Sequence, residues 1–189
     1  MKARIKFSKT GNVKFIGHLD VMRYFQKLIR RAKLDVTYSQ GFHPHQIMSF
    51  TSPLSVGIES VGEYFDIETN SKIDPKEAVR VLNEQSVDEI QVLKYVELPD
   101  DAKKSMALLA GADYSVELVI PNDKIVDFLD QETIEVLKKT KKSEALVDIK
   151  PLIFKLIVED NSIYMLLATG SRDNLKPELV MEAIMKDTT

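Results

Sequence analysis

Apolar and polar residues alternate from Lys2 to Ser8, and the alternation predicts a half-buried strand. Thr10-Gly11-Asn12 reads as a turn, and Val13–Ile16 as a short extension or a second strand. From His18 to about Lys33 the period changes. Val21, Phe25, Leu28 and Ala32, joined by Met22 and Ile29, recur at three- and four-residue spacing and predict an amphipathic helix. Tyr38–Phe42 reads as loop or short strand, Gln46–Phe50 and Leu54–Ile58 as extended, and Tyr64–Thr69 alternates as a further strand. Asp74-Pro75 sets a capping carboxylate before a proline at the first helical position, which predicts a helix to about Asn83. A strand over Gln91–Leu98 follows.

Strand, helix, two strands, helix, strand is the split βαβ, ferredoxin-like order. Pro99–Gly111 reads as a connector with helical character over Ser105–Leu109. The second half begins again with a strand, Tyr114–Ile120, and a helix, Asn122–Asp130. Extended segments near 133–139 and 146–150 precede a hairpin of Leu152–Val158 and Ile163–Ala168 around Asp160-Asn161, and a last helix starts at Pro177. The expected class is α+β, two ferredoxin-like units in tandem: 1–98, a connector 99–111, and 112–189. A complete second unit ends on a strand, and the pattern offers none after the last helix, so the expectation is a truncated chain or an incomplete unit.

Composition narrows the class of function. The 189 residues are 44% hydrophobic and 29% charged, which is ordinary for a folded domain and excludes disorder. Cysteine is absent, so disulfides, thiolate nucleophiles, cysteine-bound zinc and any iron–sulfur cluster held by this chain are excluded. No apolar run approaches the roughly 20 residues that span a bilayer, and the strand pattern at the start leads to the expectation of no signal peptide. The expectation is a cytoplasmic protein without a membrane partner. The net charge of −3 hides an asymmetry: residues 1–45 hold ten Lys/Arg against Asp20 and Asp35, and all three histidines lie in the same region. A basic pole of this kind attracts an anionic partner locally.

Arg23, Lys27, Arg30 and Arg31 fall opposite the apolar face of the first helix, Lys33 extends the stripe, and Lys9 and Lys14 are assigned to the preceding loop. Such a stripe tracks phosphates, and Tyr24 and Tyr38 are candidates for stacking bases. The competing reading is an ordinary solvated helix face. His18, at the expected helix start beside Asp20, is a candidate general base or a capping residue. His43-Pro44-His45 is a poor metal pair, because the proline holds the segment extended and points the imidazoles apart. A turn shaping a pocket with Tyr38, Ser39 and Gln40 fits better, and no metal site is expected. Gly170, Ser171, Arg172 and Lys176 form a weaker phosphate-loop candidate before the last helix. Lys138, Lys139, Lys141 and Lys142 read as a solvated turn.

Three stretches carry a likeness: Phe7-Ser8-Lys9-Thr10-Gly11, Phe15-Ile16-Gly17-His18-Leu19-Asp20 and Tyr38-Ser39-Gln40-Gly41-Phe42-His43-Pro44. Ser49-Phe50, Pro53-Leu54, Val56-Gly57-Ile58-Glu59-Ser60 and Glu63-Tyr64-Phe65-Asp66 continue it, with Asp148-Ile149-Lys150-Pro151 and Leu175-Lys176-Pro177-Glu178 further on. Together they resemble the radical-SAM-linked protein family, a domain of unknown function encoded beside or fused to a radical-SAM enzyme. The resemblance implies an accessory role. The cluster and S-adenosylmethionine then belong to the partner enzyme, this chain has no cofactor of its own, and the basic pole suggests RNA (tRNA or rRNA) or another anionic substrate. A second resemblance, of fold and position only, is to the CRISPR-repeat-processing endoribonucleases, in which His18 helps activate a ribose 2′-hydroxyl without metal. A purely protein–protein module is the third reading. A binding protein is favoured over an enzyme.

Overall fold

The computed structural model describes residues 1–118, 122–139, 144–159, 161–170 and 173–187, and divides into two units, Met1–Leu108 and Leu109–Thr189. In the first unit the alternating N-terminus is strand β1 (Lys2–Lys9), and the amphipathic stretch is helix α1 (His18–Arg31). Strands β2 (Met48–Phe50) and β3 (Ser60–Glu68), helix α2 (Pro75–Asn83) and strand β4 (Ile90–Leu98) follow, then the short helix α3 (Ser105–Leu108). The sheet runs β2-β3-β1-β4 with antiparallel neighbours, which is the strand order of the split βαβ arrangement. β1 is central: Ile5 lies opposite Phe65 on one side and Tyr95 on the other.

One face of this sheet buries Ala3, Ile5, Phe7, Phe65 and Ile67 against Val21, Phe25, Leu28 and Ile29 of α1 and Ala78 and Leu82 of α2. Four rings interlock there. Phe7 meets Phe25 edge-on at 4.6 Å, Phe25 meets Phe65 at 4.6 Å, and Phe50 stacks on Phe65 at 4.7 Å.

The helix ends are set by local chemistry. Asp74 accepts hydrogen bonds from the N–H groups of Lys76 (2.9 Å) and Glu77 (3.1 Å), and Pro75 opens α2, as its sequence predicts. α1 closes on Lys33 in the left-handed region, φ 53°. Leu34 N–H bonds to Ile29 O and Lys33 N–H to Arg30 O, both at 3.2 Å, the paired bonds of a Schellman motif with lysine where glycine is usual.

Two expectations are corrected. Val13–Ile16 is not a strand: Gly11 turns the chain at φ 59°, and Ile16 N–H bonds to Val13 O at 3.2 Å, giving a 3₁₀ turn over Gly11–Phe15. Leu54–Ile58 joins no strand either. Gly57, at φ 93°, donates its N–H to Lys14 O at 2.9 Å, which ties this loop to the 3₁₀ turn rather than to the sheet.

α3 packs against β2 and β3 and is held by a clasp. Arg4 donates to both carboxylate oxygens of Asp66 (2.8 and 3.1 Å) and to Lys103 O (3.0 Å), while Asp66 also accepts the Ser105 N–H at 2.8 Å.

The second unit contains β5 (Gly111–Glu117), α4 (Asn122–Asp130), β6 (Glu135–Lys139), β7 (Glu144–Asp148), β8 (Ile153–Glu159), β9 (Ser162–Ala168) and α5 (Pro177–Asp187). Its main sheet is ordered β5-β9-β8, and β6 and β7 pair as a separate two-stranded ribbon among the described residues. Ile125, Phe128, Ile163, Leu167, Val180 and Ile184 are buried in its core. The class is α+β. The second unit does not repeat the first element for element, because the ribbon is inserted between α4 and β8, and among the described residues no fourth strand joins its main sheet. Asp160, Lys141 and Lys142 lie outside the described residues. Among the described residues no helix is long and apolar enough to cross a membrane.

Two substitutions at helix ends have opposite expected signs. Asp74→Ala removes the cap of α2 and lowers the stability of the first unit by about 1 kcal/mol. Lys33→Gly relieves a left-handed side chain and raises it by about 1 kcal/mol. Urea unfolding followed by circular dichroism measures both.

Candidate functional site

Ala3, Ile5 and Phe7 alternate toward the core along β1, and the next position on that face is Lys9. The register shifts between Phe7 and Lys9 on the β3 side, a bulge that ends the regular ladder at this residue. Lys9 is therefore the last residue of β1, 3% exposed, and not a member of the following loop. Its ammonium group has no hydrogen-bond or ion-pair partner among the described residues.

Lys9 lines a pocket with apolar walls, Phe7, Val21, Phe50 and Leu54, and with polar walls, His18, Thr51, Ser52 and Glu63. Each comes from a different piece of the fold. His18 is the first residue of α1 and meets the Phe50 ring edge-on at 5.6 Å. Thr51 follows β2 and donates its hydroxyl to Tyr64 O at 3.1 Å. Glu63 lies on β3 and accepts the Ser60 hydroxyl at 3.0 Å. The cavity measures about 20 Å³, so the pocket admits a small group and no nucleobase.

The electrostatics follow from burial. Lys9 is held below the ordinary lysine value by desolvation, partly opposed by Glu63. Desolvation, reinforced by the Lys9 charge, pulls His18 below 6.5. Glu63 is pushed above the usual carboxylate value by burial, against the Ser60 hydrogen bond and Lys9. The arrangement combines a cation without a fixed counterion, an imidazole that favours its neutral form and a carboxyl that takes up protons readily.

The other residues singled out by sequence lie elsewhere. Lys14 pairs with Glu59 at 3.2 Å. On α1, Arg23, Lys27, Arg30 and Arg31 are all exposed. Arg23 pairs with Asp20 at 3.1 Å, Arg30 donates to Gln26 O, and Arg31 reaches Gln85 O at 3.1 Å. Tyr24 is half-buried, and its hydroxyl accepts the Val87 N–H at 2.9 Å, so its ring belongs to the packing.

Tyr38, Ser39, Gln40 and His43 lie on a separate loop. It is closed by a Tyr38–Gln46 bridge and by Ser39, whose Oγ sits 2.9 Å from His45 Nδ1. His43 is exposed at its outer end beside a wholly exposed Phe42. Among the described residues no group of three or more His, Asp or Glu is placed to hold a metal.

In the second unit, Gly170 has a packing reason: a Cβ there would stand 2.8 Å from Leu109 O. Lys176 is exposed, while Ser171 and Arg172 lie outside the described residues. Thr51 and Ser52 are pocket residues that sequence reasoning did not single out, and Glu63 entered it only within the stretch Glu63-Tyr64-Phe65-Asp66, with no role as a site residue.

A family model described as "Uncharacterized protein conserved in bacteria (DUF2344)" matches residues 2–177. None of the curated proteins matches the chain.

Two measurements test the electrostatics of the pocket. With His18 folded below 6.5, the unfolded chain takes up its proton first as pH falls, so its contribution to stability declines from pH 6.5 downward. Glu63 acts in the opposite sense nearer its own range, because its folded value is raised. The difference between wild type and His18→Gln in urea unfolding at pH 7.5 and 5.5 isolates the histidine, and the variant is expected to lose less stability over that interval. Lys9→Met keeps the stem and removes the desolvated charge, with an expected gain of about 1 kcal/mol.

Proposed function

The chain belongs to this bacterial family of uncharacterized proteins, and we propose that it is a non-enzymatic accessory protein that binds RNA, tRNA or rRNA in class, for a radical-SAM enzyme. The observation that carries the binding reading is the outer face of α1. Arg23, Lys27 and Arg30 stand exposed along it, in a region with a net charge of +8 over residues 1–45. The Asp20–Arg23 pair is itself exposed and so costs little to exchange for a phosphate.

The radical-SAM part rests on the resemblance carried by residues 5–66 and agrees with a chain that has no cysteine to bind a cluster. Phe15, Leu19 and Phe42, exposed on the same unit, suit contact with a protein partner.

Fluorescence anisotropy with a tRNA transcript tests the binding. Three phosphate contacts predict roughly a tenfold or greater loss of affinity between 50 and 200 mM salt. Arg23→Glu and Arg30→Glu each lower affinity by roughly threefold or more. Absent or salt-insensitive binding overturns the reading.

A second reading has one observation in its favour, the placement of His18 beside Lys9 in a pocket. An endoribonuclease of this kind cleaves RNA without metal and loses cleavage in His18→Ala. RNA left intact after long incubation with concentrated protein removes it. Recovery of the radical-SAM enzyme by pull-down only before nuclease treatment, and not after, makes RNA the bridge between the two proteins.

A further inference from the structure

We infer that the Lys9 pocket is a binding site for a phosphate monoester, the group found at the end of an RNA strand or on a free nucleotide. The inference goes beyond the RNA reading, because a free phosphate monoester can fill the pocket with no help from the outer face of α1.

Two independent features converge on it. The first is Lys9, only 3% exposed, on the wall of the pocket, where its charge acts on both His18 and Glu63 and its ammonium has no hydrogen-bond or ion-pair partner among the described residues. A buried cation is costly until an anion or a hydrogen-bond acceptor meets it. The second is the start of α1. The helix is 14 residues long and its cap, Gly17, supplies no side-chain hydrogen bond. Its first backbone bonds run from Asp20 N–H and Val21 N–H to Gly17 O, at 3.0 and 3.1 Å, which leaves the N–H groups of His18 and Leu19 out of the helix ladder. An uncapped helix start with a lysine beside it suits a phosphoryl group. The His18 imidazole and the Ser52 hydroxyl add donors on the walls.

Size selects the terminal group. The narrow space takes the tip of a tetrahedral anion, and a terminal phosphate, with one ester bond, brings less bulk to its mouth than an internal phosphate with a sugar on each side. Glu63 sets a charge threshold. Its carboxyl shares the pocket with Lys9, so a weak or singly charged anion gains little there, and a phosphate binds best with that carboxyl protonated. Glu63 therefore opposes the ligand that Lys9 attracts.

The two side chains give opposite outcomes in one experiment on the full chain. Affinities are measured by anisotropy for matched oligoribonucleotides ending in 5′-phosphate, 3′-phosphate or hydroxyl at both ends. Methyl phosphate is titrated separately while the His18 imidazole is followed by NMR. We expect one phosphorylated end to bind about tenfold tighter than the hydroxyl end, and methyl phosphate to move the His18 resonances. Lys9→Met should erase both effects while remaining folded, and Glu63→Gln should enlarge them.

Equal affinity for all three oligonucleotides together with unmoved His18 resonances overturns the inference, as does a phosphate effect that survives Lys9→Met. If methyl phosphate moves His18 in wild type but not in Lys9→Met while no oligonucleotide binds, the pocket stands and the RNA reading falls. RNA binding that ignores both the end group and Lys9 does the opposite: the RNA reading stands and the pocket falls.

Discussion

Phe7, Phe25, Phe50 and Phe65 come from β1, α1, β2 and β3, so the edge-on, tilted and stacked contacts of their rings tie four elements to a single arrangement. Interlocked aromatic rings resist sliding, because a shift of one helical turn takes each ring out of the gap it fills. α1 is thereby fixed against the sheet, and with it the position of His18 at its start, whose ring meets Phe50. Lys9 stands two residues beyond Phe7 on the same face of β1. The pocket is thus a margin of the aromatic core, where the packing gives way to one ammonium, one imidazole and one carboxyl. The surrounding apolar burial is what allows the fold to keep an unpaired cation at this depth.

Much of this is legible in the sequence where a local pattern decides the structure. The face of α1 is readable because its apolar residues keep a 3.6 period through four turns, and α2 because Asp74 and Pro75 form a cap that needs no tertiary help. The segments at Val13–Ile16 and Leu54–Ile58 mislead for one shared reason. Their apolar content suits a strand, but glycines at positive φ turn the chain, and a backbone bond from Gly57 to Lys14 joins the two segments to each other.

The candidate site is legible only in part. The alternation Ala3, Ile5, Phe7 points straight at Lys9, yet a lysine at a strand end reads as solvent-facing, and its burial depends on α1 closing over it. Ser52 carries no local signal, and Glu63 only its place in the stretch Glu63-Tyr64-Phe65-Asp66, which says nothing of a pocket. They reach Lys9 and His18 through the β1–β3 register and the loop after β2, which are long-range facts of the sheet. In the second unit the glycine loop shows the converse. Gly170 reads as a phosphate cradle, but the close approach of Leu109 O already accounts for a residue without a side chain.

The clasp of Arg4, Asp66 and Ser105 bears on where the first unit ends. Strand β4 finishes the sheet at Leu98, and by sequence that residue reads as the edge of the domain. Yet Arg4 on the central strand reaches across to Lys103 O, and Asp66 holds the Ser105 N–H. The ten residues after Leu98 are thus structural members of the N-terminal unit. A fragment cut at Leu98 would strip Arg4 and Asp66 of their outer partners and uncover the side of β2 and β3 that α3 shields, whereas a fragment carried through Leu108 would keep the seam shut.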